Sequence, residues 1–471
     1  MRWNEDRLYA LFLARDSSQN GKFLTGVLTT GIYCLPSCPA RRPKREHVRF
    51  FRTPEEAVGV GLRPCRRCRP DSFYRGEEWH ENLYEQTAAR VYRDPGKFGG
   101  VPDIASTAGL SRSALSDLFR DHAHESPAAF LRRARVERVC ELLANGTKPA
   151  DASAEAGFAS SSAFHAQFVA RTGLTPAAYA ALGNQFVLRL PSGYRSREIL
   201  DFYGRDPQSV SEHVSAHGLR KCVVLDGAAR LLEVEFRKDT AHCVVEGPPR
   251  EAQRLLVRML GLDSDAEAFE RQFASDDLLG SLISRQGGLR IPLTPEPWEA
   301  LAWAILGQQI SLKFAVTLRR GLIGSFGKAH RSGLRAHPLP EEIADLDSEA
   351  LRPLKFSGSK ATYLIAAAHA VKSDEVPLAS MRRMSAVHAS RRLGAVHGIG
   401  PWTAQYALLR GVGFADCLPA GDAGLAQGLE RLLKTRPPQP QIRNLMARYS
   451  PWRSVATYHV WASLKGKSNE D

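Results

Sequence analysis

Two pairs of cysteines, each closed by a short spacer and set among arginines, constrain this chain more than any other stretch. Cys34 and Cys38 are separated by three residues in TTGIYCLPSCPARRPKREHV, and Cys65 and Cys68 by two in RPCRRCRP. A thiolate pair on a tight turn spans one edge of a tetrahedron, so two such pairs can close a four-coordinate zinc site. The alternative is a set of ordinary thiols or disulfides. Disulfides are disfavoured because the first residues, MRWNEDRLYALF, are charged where a secretory signal needs an apolar core. Cys140, Cys222, Cys243 and Cys417 are scattered, as buried thiols would be in a reducing, cytosolic compartment.

The surrounding cations give that site a chemistry. Four thiolates on one divalent ion leave a net charge of about −2, and Arg41, Arg42, Lys44, Arg45, Arg66, Arg67 and Arg69 crowd around it. Such cations, Arg45 and Arg67 among them, can hold a DNA phosphate beside a nucleophilic sulfur. Alkylating one sulfur removes one negative charge and would strengthen attraction to DNA. The whole chain leans the same way, with 64 Lys and Arg against 50 Asp and Glu, a net charge of +14. A basic chain from an arginine-rich proteome would show the same excess, so charge alone settles little. With 471 residues the chain is too long for one core and suggests three or four domains. No apolar run approaches the roughly 18 residues of a membrane helix, so no membrane partner is expected.

TTGIYCLPSC followed by RPCRRCRP resembles the amino-terminal domain of the Ada family of alkylation-response regulators, over about the first 75 residues. The resemblance implies one zinc held by Cys34, Cys38, Cys65 and Cys68. It also implies that Cys34 irreversibly accepts a methyl group from a DNA methylphosphotriester. A zinc knuckle without transfer chemistry is the blander reading. Around the cysteines, Arg2 to Ala14 reads as an amphipathic helix, and Phe23 to Tyr33 and Val48 to Phe51 as short strands. Pro54 to Val60 reads as a helix capped by Thr53.

An internal repeat follows. FRDHAHESPAAFL from Phe119 returns as FVARTGLTPAAYA from Phe168, an offset of 49, and the turns AGLS and AGFA precede the two copies. Each copy reads as a short helix, a glycine turn and a second helix, Ser113 to Asp121 or Ser161 to Arg171. Ser126-Pro127 and Thr175-Pro176 then open further helices. This is a tandem helix-turn-helix, in which the second helix of each unit can enter a major groove. It resembles the DNA-binding domain of AraC-type regulators. The alternative is a plain repeat of helical hairpins; the apolar-poor helix from Asp151 and the weakly basic SSAFHAQF leave sequence-specific readout either weak or leaning on the first copy.

After a linker at Asn184 and Gln185 the pattern changes to alternating strands at Phe186, Lys221, Leu231 and Ala241, and from Trp298 to helix. VHGIGPWTAQYALL (Val396 to Leu409) places a Gly-x-Gly turn between helices, with the amides of Gly398 and Gly400 free to approach a phosphate. Together with LPAGDAGL, ILGQQIS and PWRSVATYHVW, it resembles the helix-hairpin-helix DNA glycosylases, closest to the 3-methyladenine DNA glycosylase II (AlkA-type) family. The resemblance spans about Phe186 to Leu464. It implies Asp422, 20 positions beyond Trp402, as the catalytic carboxylate, and Trp402, Tyr406 and Trp461 as the faces of a base pocket. Read as plain residues, the aromatics could be core and Asp422 a helix cap. Trp402 fills the place of the nucleophilic lysine of bifunctional relatives, which implies simple hydrolysis. The resemblance further implies Gln309 as the DNA wedge and Gly394, Val396 and Ile399 as carbonyl ligands of a monovalent cation. The Pro-Cys-His-Arg motif of base-methyl transferases is missing.

The expected architecture is multidomain α+β. It comprises a small zinc-bound α/β module (1–80), an all-α tandem helix-turn-helix (81–183), an antiparallel-sheet domain (186–290) and an all-α helix-hairpin-helix glycosylase domain (291–465). The expected protein is a cytoplasmic, nucleoid-associated monomer acting on double-stranded DNA, both alkylated DNA and promoters. It is read as a monofunctional 3-methyladenine-type glycosylase with stoichiometric methyl transfer to Cys34. The alternatives are a methylation-sensing transcription factor whose glycosylase half binds damage without catalysis, and a zinc-stabilised architectural protein.

Overall fold

The structure, a computed structural model, describes residues 4–15, 19–38 and 40–464. It divides into two compact units, Met1–Gln86 and Thr87–Asp471.

The first unit is built on four short strands: β1 (Leu24–Val27), β2 (Ile32–Cys34), β3 (Val48–Phe51) and β4 (Arg63–Pro64), in the order β3-β1-β2-β4. β1 runs antiparallel to β2 and β3, while β2 and β4 are parallel with Ile32 opposite Arg63 and Tyr33 opposite Pro64. That parallel register carries function, because it delivers Cys34 at the end of β2 and Cys65 just past β4 to the same level. The Cys65 amide donates to the Tyr33 carbonyl at 2.9 Å. One apolar cluster gathers Leu24, Tyr33, Leu35, Phe51, Ala57 and Leu62, and another Phe12, Phe23, Val48 and Phe50. The first helix runs Glu5–Leu13, within the expected span, whose residues 2 and 3 lie outside the described residues. Thr53 caps Pro54–Gly59 as expected, its hydroxyl accepting the Glu56 amide at 3.3 Å.

In the second unit the repeat folds as two helix-turn-helix copies: Val101–Ala108 with Arg112–Ala123, and Pro149–Glu155 with Ser161–Thr172. The helix Pro127–Ala144 bridges them. Ser111, Ser126, Ser160 and Thr175 each accept the amide three residues on, so the capping residues of the sequence set the helix starts. Phe119 and Phe168, equivalent in the repeat, are both 0% exposed, so the two copies use the same anchor.

Asn184 and Gln185 form no free linker. The Asn184 side chain donates to the carbonyls of Val245 (2.8 Å) and Gly247 (3.2 Å), and Gln185 opens β5 (Gln185–Arg189). β5 is the edge of a five-stranded antiparallel sheet with β6 (Glu212–Val214), β7 (Gly218–Leu225), β8 (Ala228–Arg237) and β9 (Thr240–Val245), ordered β5-β9-β8-β7-β6. A single hydrophobic core then runs from Phe168 and Tyr179 of the repeat through Leu188, Val234 and Leu256 of the sheet and its helix Pro249–Met259. Polar bonds cross the same boundary: the Arg189 amide donates to the Gly173 carbonyl (2.8 Å), and Gln253 Nε2 donates to that of Thr172 (2.7 Å). The change from helix to strand composition therefore marks a change of element inside one core.

The rest of the unit is helical, as expected, and encloses the largest apolar cluster of the described residues. The first helix-turn-helix copy packs on it too: the ring of His122 hydrogen-bonds to Ser385 Oγ at 2.7 Å, and the Asp416 amide donates to His124 Nδ1 at 3.2 Å.

Two outcomes follow from the shared core. Phe168→Ala should cost about 3–5 kcal/mol. The repeat (87–183) contains no tryptophan, and five of the seven tryptophans lie between Trp298 and Trp461, so in urea unfolding the tryptophan fluorescence reports mainly the glycosylase half, with Trp3 and Trp79 adding the first unit. A shared core requires that signal to shift together with far-UV circular dichroism. Burial also pulls the pKa of His124 down to about 4, which keeps its Nδ1 an acceptor. An unfolded histidine titrates near 6.5. The unfolded chain therefore binds the extra proton first, and stability falls as pH drops from 6.5 towards 4. His124 alone should account for about 2 kcal/mol between pH 7 and 5. Comparing urea midpoints of wild type and His124→Gln at both pH values measures it.

Candidate active site and metal centre

The two cysteine pairs converge. The sulfurs of Cys34, Cys38, Cys65 and Cys68 all lie within 4.8 Å of one another, and a tetrahedron with Zn–S near 2.3 Å has edges of about 3.8 Å. The first three are buried and Cys68 half-buried. The amides of Leu35 and Arg67 point at Cys68 Sγ (3.3 Å) and Cys65 Sγ (3.4 Å), as donors do towards ionised sulfur. Among themselves the thiols cannot all ionise. Hydrogen bonding with Cys38 pushes the Cys34 thiol far up, and that with Cys34 pushes Cys68 up and draws Cys65 down. A divalent cation removes that conflict, so the donor set fits zinc.

The arginines around it divide into two kinds. Arg45 is an internal brace: its guanidinium lies 2.6 Å from Glu5 and over the Phe50 ring at 5.6 Å. Arg42 packs over Phe12 at 3.9 Å and donates to the Pro36 carbonyl, and Arg69 lies over Trp79 at 3.7 Å. Arg41, Arg66 and Arg67 are exposed. Of the two phosphate contacts expected, Arg67 is displayed at the surface while Arg45 shares its charge with Glu5.

The second site is built on a helical hairpin, Ala386–Ala395 and Pro401–Ala407. Gly398 turns it at φ +84°, and a Cβ there would fall 2.1 Å from Tyr363 Cγ, so backbone and ring demand glycine. Gly400 caps the second helix. Gly394 lies in the last turn of the first helix, and in the hairpin turn the Val396 carbonyl accepts the Ile399 amide at 3.0 Å. Gln308 ties the hairpin to the preceding helix Pro297–Gly307, donating to the Gly398 carbonyl and to Thr403 Oγ1, both at 2.9 Å. Lys360 secures the end of that preceding helix through the carbonyls of Ile305 (3.1 Å) and Gln308 (2.7 Å). Gln309 is left exposed in a left-handed conformation, φ +55°.

Asp422 is both the cap of Ala423–Leu433 and the meeting point of the aromatics. Its carboxylate accepts the Leu425 amide (2.7 Å), the indole N–H of Trp402 (3.0 Å) and that of Trp461 (2.8 Å). The Trp402 and Tyr406 rings lie 5.4 Å apart at 30°, and Tyr406 and Trp461 6.1 Å apart. Helix hairpin, capping loop and final helix Arg453–Ala462 thus bring together residues 402, 406, 422 and 461 around one oriented carboxylate. Such a group can stabilise positive charge on a sugar beside π-faces suited to a flat base.

Several members escaped the sequence. Trp303 is buried in the same cluster as Tyr406, against Trp402 and Trp461; within WEALAWAIL it reads as ordinary core. Gln308 lies in the ILGQQIS motif but is not singled out within it, and Lys360 carries no signal, since both act by holding groups distant in sequence. Leu312, three positions after Gln309, is a large apolar side chain left 63% exposed.

A thiolate zinc module, a tandem helix-turn-helix and a hairpin-bearing aromatic site define a DNA-directed protein of the base-excision class. Three family models match: the metal binding domain of Ada at residues 7–71, a helix-turn-helix domain at 104–181, and the HhH-GPD superfamily of base excision DNA repair proteins at 302–451. Over 99% of its length the chain is 30% identical to a probable bifunctional transcriptional activator/DNA repair enzyme AlkA of Mycobacterium tuberculosis, covering 97% of that protein. The chain belongs to this family of bifunctional activator and repair proteins. It is also 27% identical to a DNA-3-methyladenine glycosylase of Bacillus subtilis over 59% of this chain and 96% of that one. Over 59% of its length the chain shares the fold of the 3-methyladenine DNA-glycosylase of Archaeoglobus fulgidus, covering 97% of that chain with a TM-score of 0.53 and 24% identity. The four cysteines are the ligands of one zinc. Among the described residues, no helix is long and apolar enough to cross a membrane.

Elemental mass spectrometry of the purified protein should find one zinc per chain. Cys38→Ala should lose it and render the first unit protease-sensitive, whereas Asp422→Asn should retain the metal.

Proposed function

We propose that the chain hydrolyses the N-glycosidic bond of alkylated purines, of the 3-methyladenine type, in double-stranded DNA, with Asp422 as its catalytic carboxylate. The carrying observation is the carboxylate held by two indole N–H groups whose rings belong to the same aromatic pocket. An alkylated purine flipped from the duplex leaves as a neutral base. Asp422 faces the sugar as it becomes cationic and positions the attacking water, while Trp402, Tyr406 and Trp461 accept the cationic base. With Trp402 in place of a lysine, no amine attacks the sugar, and the product is an abasic site without strand cleavage. The amides of Gly398 and Gly400 would hold the DNA phosphate, the carbonyls of Gly394, Val396 and Ile399 a monovalent cation. Gln309, seconded by Leu312, would fill the gap left by the flipped base.

The zinc module adds a stoichiometric reaction. Zinc keeps the cysteines ionised when bound. Cys34 sulfur bonds to the methyl carbon of a phosphotriester as the methyl C–O bond breaks, and the phosphate departs as a diester anion. The loss of one negative charge favours DNA binding and promoter activation through the helix-turn-helix copies. Arg67, exposed beside Cys65, is the better placed phosphate contact. In this reading the domains are 1–80, 81–183, 186–290 and 291–465, and the protein acts as a cytoplasmic, nucleoid-associated monomer.

Purified protein should release methylated purines from alkylated duplex DNA, and Asp422→Asn should lower the single-turnover rate at least about 100-fold. Peptide mass should place one methyl on Cys34 after exposure to methylphosphotriester DNA. Damage binding without base release by the wild type would favour a sensor that has lost catalysis.

A further inference from the structure

Among the described residues, one cation beside the aromatic cluster forms no ion pair. Arg205 follows the helix Ser196–Tyr203, and its guanidinium lies 3.9 Å from the Trp303 ring centroid and 4.5 Å from that of Phe202. Trp303 is packed in the same cluster as Tyr406, Trp402 and Trp461. Among the described residues Arg205 makes no hydrogen bond and no ion pair. The carboxylates nearest to it in sequence and field are committed elsewhere. Asp206 is held by Arg320 (2.5 and 3.0 Å), and Glu212 by Arg319 (2.7 and 3.0 Å) and Lys221 (3.0 Å). Burial draws the Arg205 pKa down, as it does for a cation short of partners. The second guanidinium by the pocket, Arg410, is different: it lies over Tyr458 and Trp461 and donates to the Pro292 carbonyl at 3.0 Å.

A pocket meant only for cationic bases gains nothing from an unpaired guanidinium, which repels them. A neutral damaged base poses the opposite problem. When its C1′–N9 bond breaks, both electrons go to the base, which departs as an anion. Resting on the glycosylase reading above, we propose that Arg205 is a specificity-determining residue whose free N–H groups bind acceptor atoms of neutral damaged purines and stabilise their departure. Arg205 keeps its proton throughout and acts by hydrogen bonding and charge. Water supplies hydroxide to C1′, and its proton goes in net to the released base. For a cationic base the leaving group is already neutral, so the same guanidinium only opposes binding. The stacking on Trp303 holds the guanidinium plane while leaving its edge available.

The test is the ratio of two rates in the full-length protein. Single-turnover excision is measured on duplexes carrying one hypoxanthine, a neutral base, or one 7-methylguanine, a cationic one. Arg205→Gln should lower the hypoxanthine to 7-methylguanine rate ratio by about 10- to 100-fold, the scale of a charged hydrogen bond, with the 7-methylguanine rate rising. Arg205→Lys, which keeps the charge, should recover part of the ratio. A parallel fall on both substrates, including one caused by misfolding seen in the melting curve of both variants, would overturn the proposal. So would an unchanged ratio, or a wild type that releases 7-methylguanine and leaves hypoxanthine in place. A wild type that releases neither base would instead defeat the glycosylase reading on which the proposal stands.

Discussion

The core shared by the helix-turn-helix repeat and the five-stranded sheet is the constraint on which the second unit rests. Phe168 and Tyr179 bury themselves against Leu188 and Leu256, and the strand that begins at Gln185 is bonded on one side to β9 and at its end to Gly173. Apolar burial of that kind is non-directional and strong in sum, and the crossing hydrogen bonds add register. With His122 and His124 fastened to the helical half at Ser385 and Asp416, the repeat is fixed at two places. The aromatic site inherits this rigidity, since Phe202 and Arg205 come from the sheet domain and the remaining members from helices.

The zinc module obeys a different economy. Its sheet is only four short strands, so little apolar area is available and the parallel β2–β4 register must place the sulfurs. Here geometry and electrostatics require each other: four close thiols resist ionisation together, and the ion that resolves this also fixes the chain. The arginines serve both ends. Arg42, Arg45 and Arg69 lie over aromatic rings to complete a thin core, while Arg41, Arg66 and Arg67 remain at the surface.

Much of this was legible in the residues because the signals were local. Cysteine spacing, the repeat of Phe119 in Phe168, the Ser-Pro and Thr-Pro caps and the strand alternation each depend on a few neighbouring positions. Asp422 and its indoles came from a family resemblance, and their hydrogen bonds join positions up to 39 apart. What stayed hidden was long-range. Asn184 and Gln185 look like a break because composition changes there, yet backbone pairing with residues some 60 positions on consumes both. Trp303 and Arg205 sit in segments whose patterns are those of an ordinary core helix and a polar loop. Nothing local distinguishes an arginine that meets a carboxylate, as Arg319 does, from one that meets only rings.

The position of β5 has one more consequence. Among the described residues it is an edge strand, with β9 on one flank and no strand on the other, and edges of this kind invite pairing with other chains. The second helix-turn-helix copy lies against that strand, through Gly173 at Arg189 and through the common core. The repeat therefore covers the Arg189 end of that edge and the inward side of Leu188, while Val187 in its middle stays 42% exposed. A glycosylase half released from it by cleavage would lose even that cover and carry a fully open sheet edge into solution.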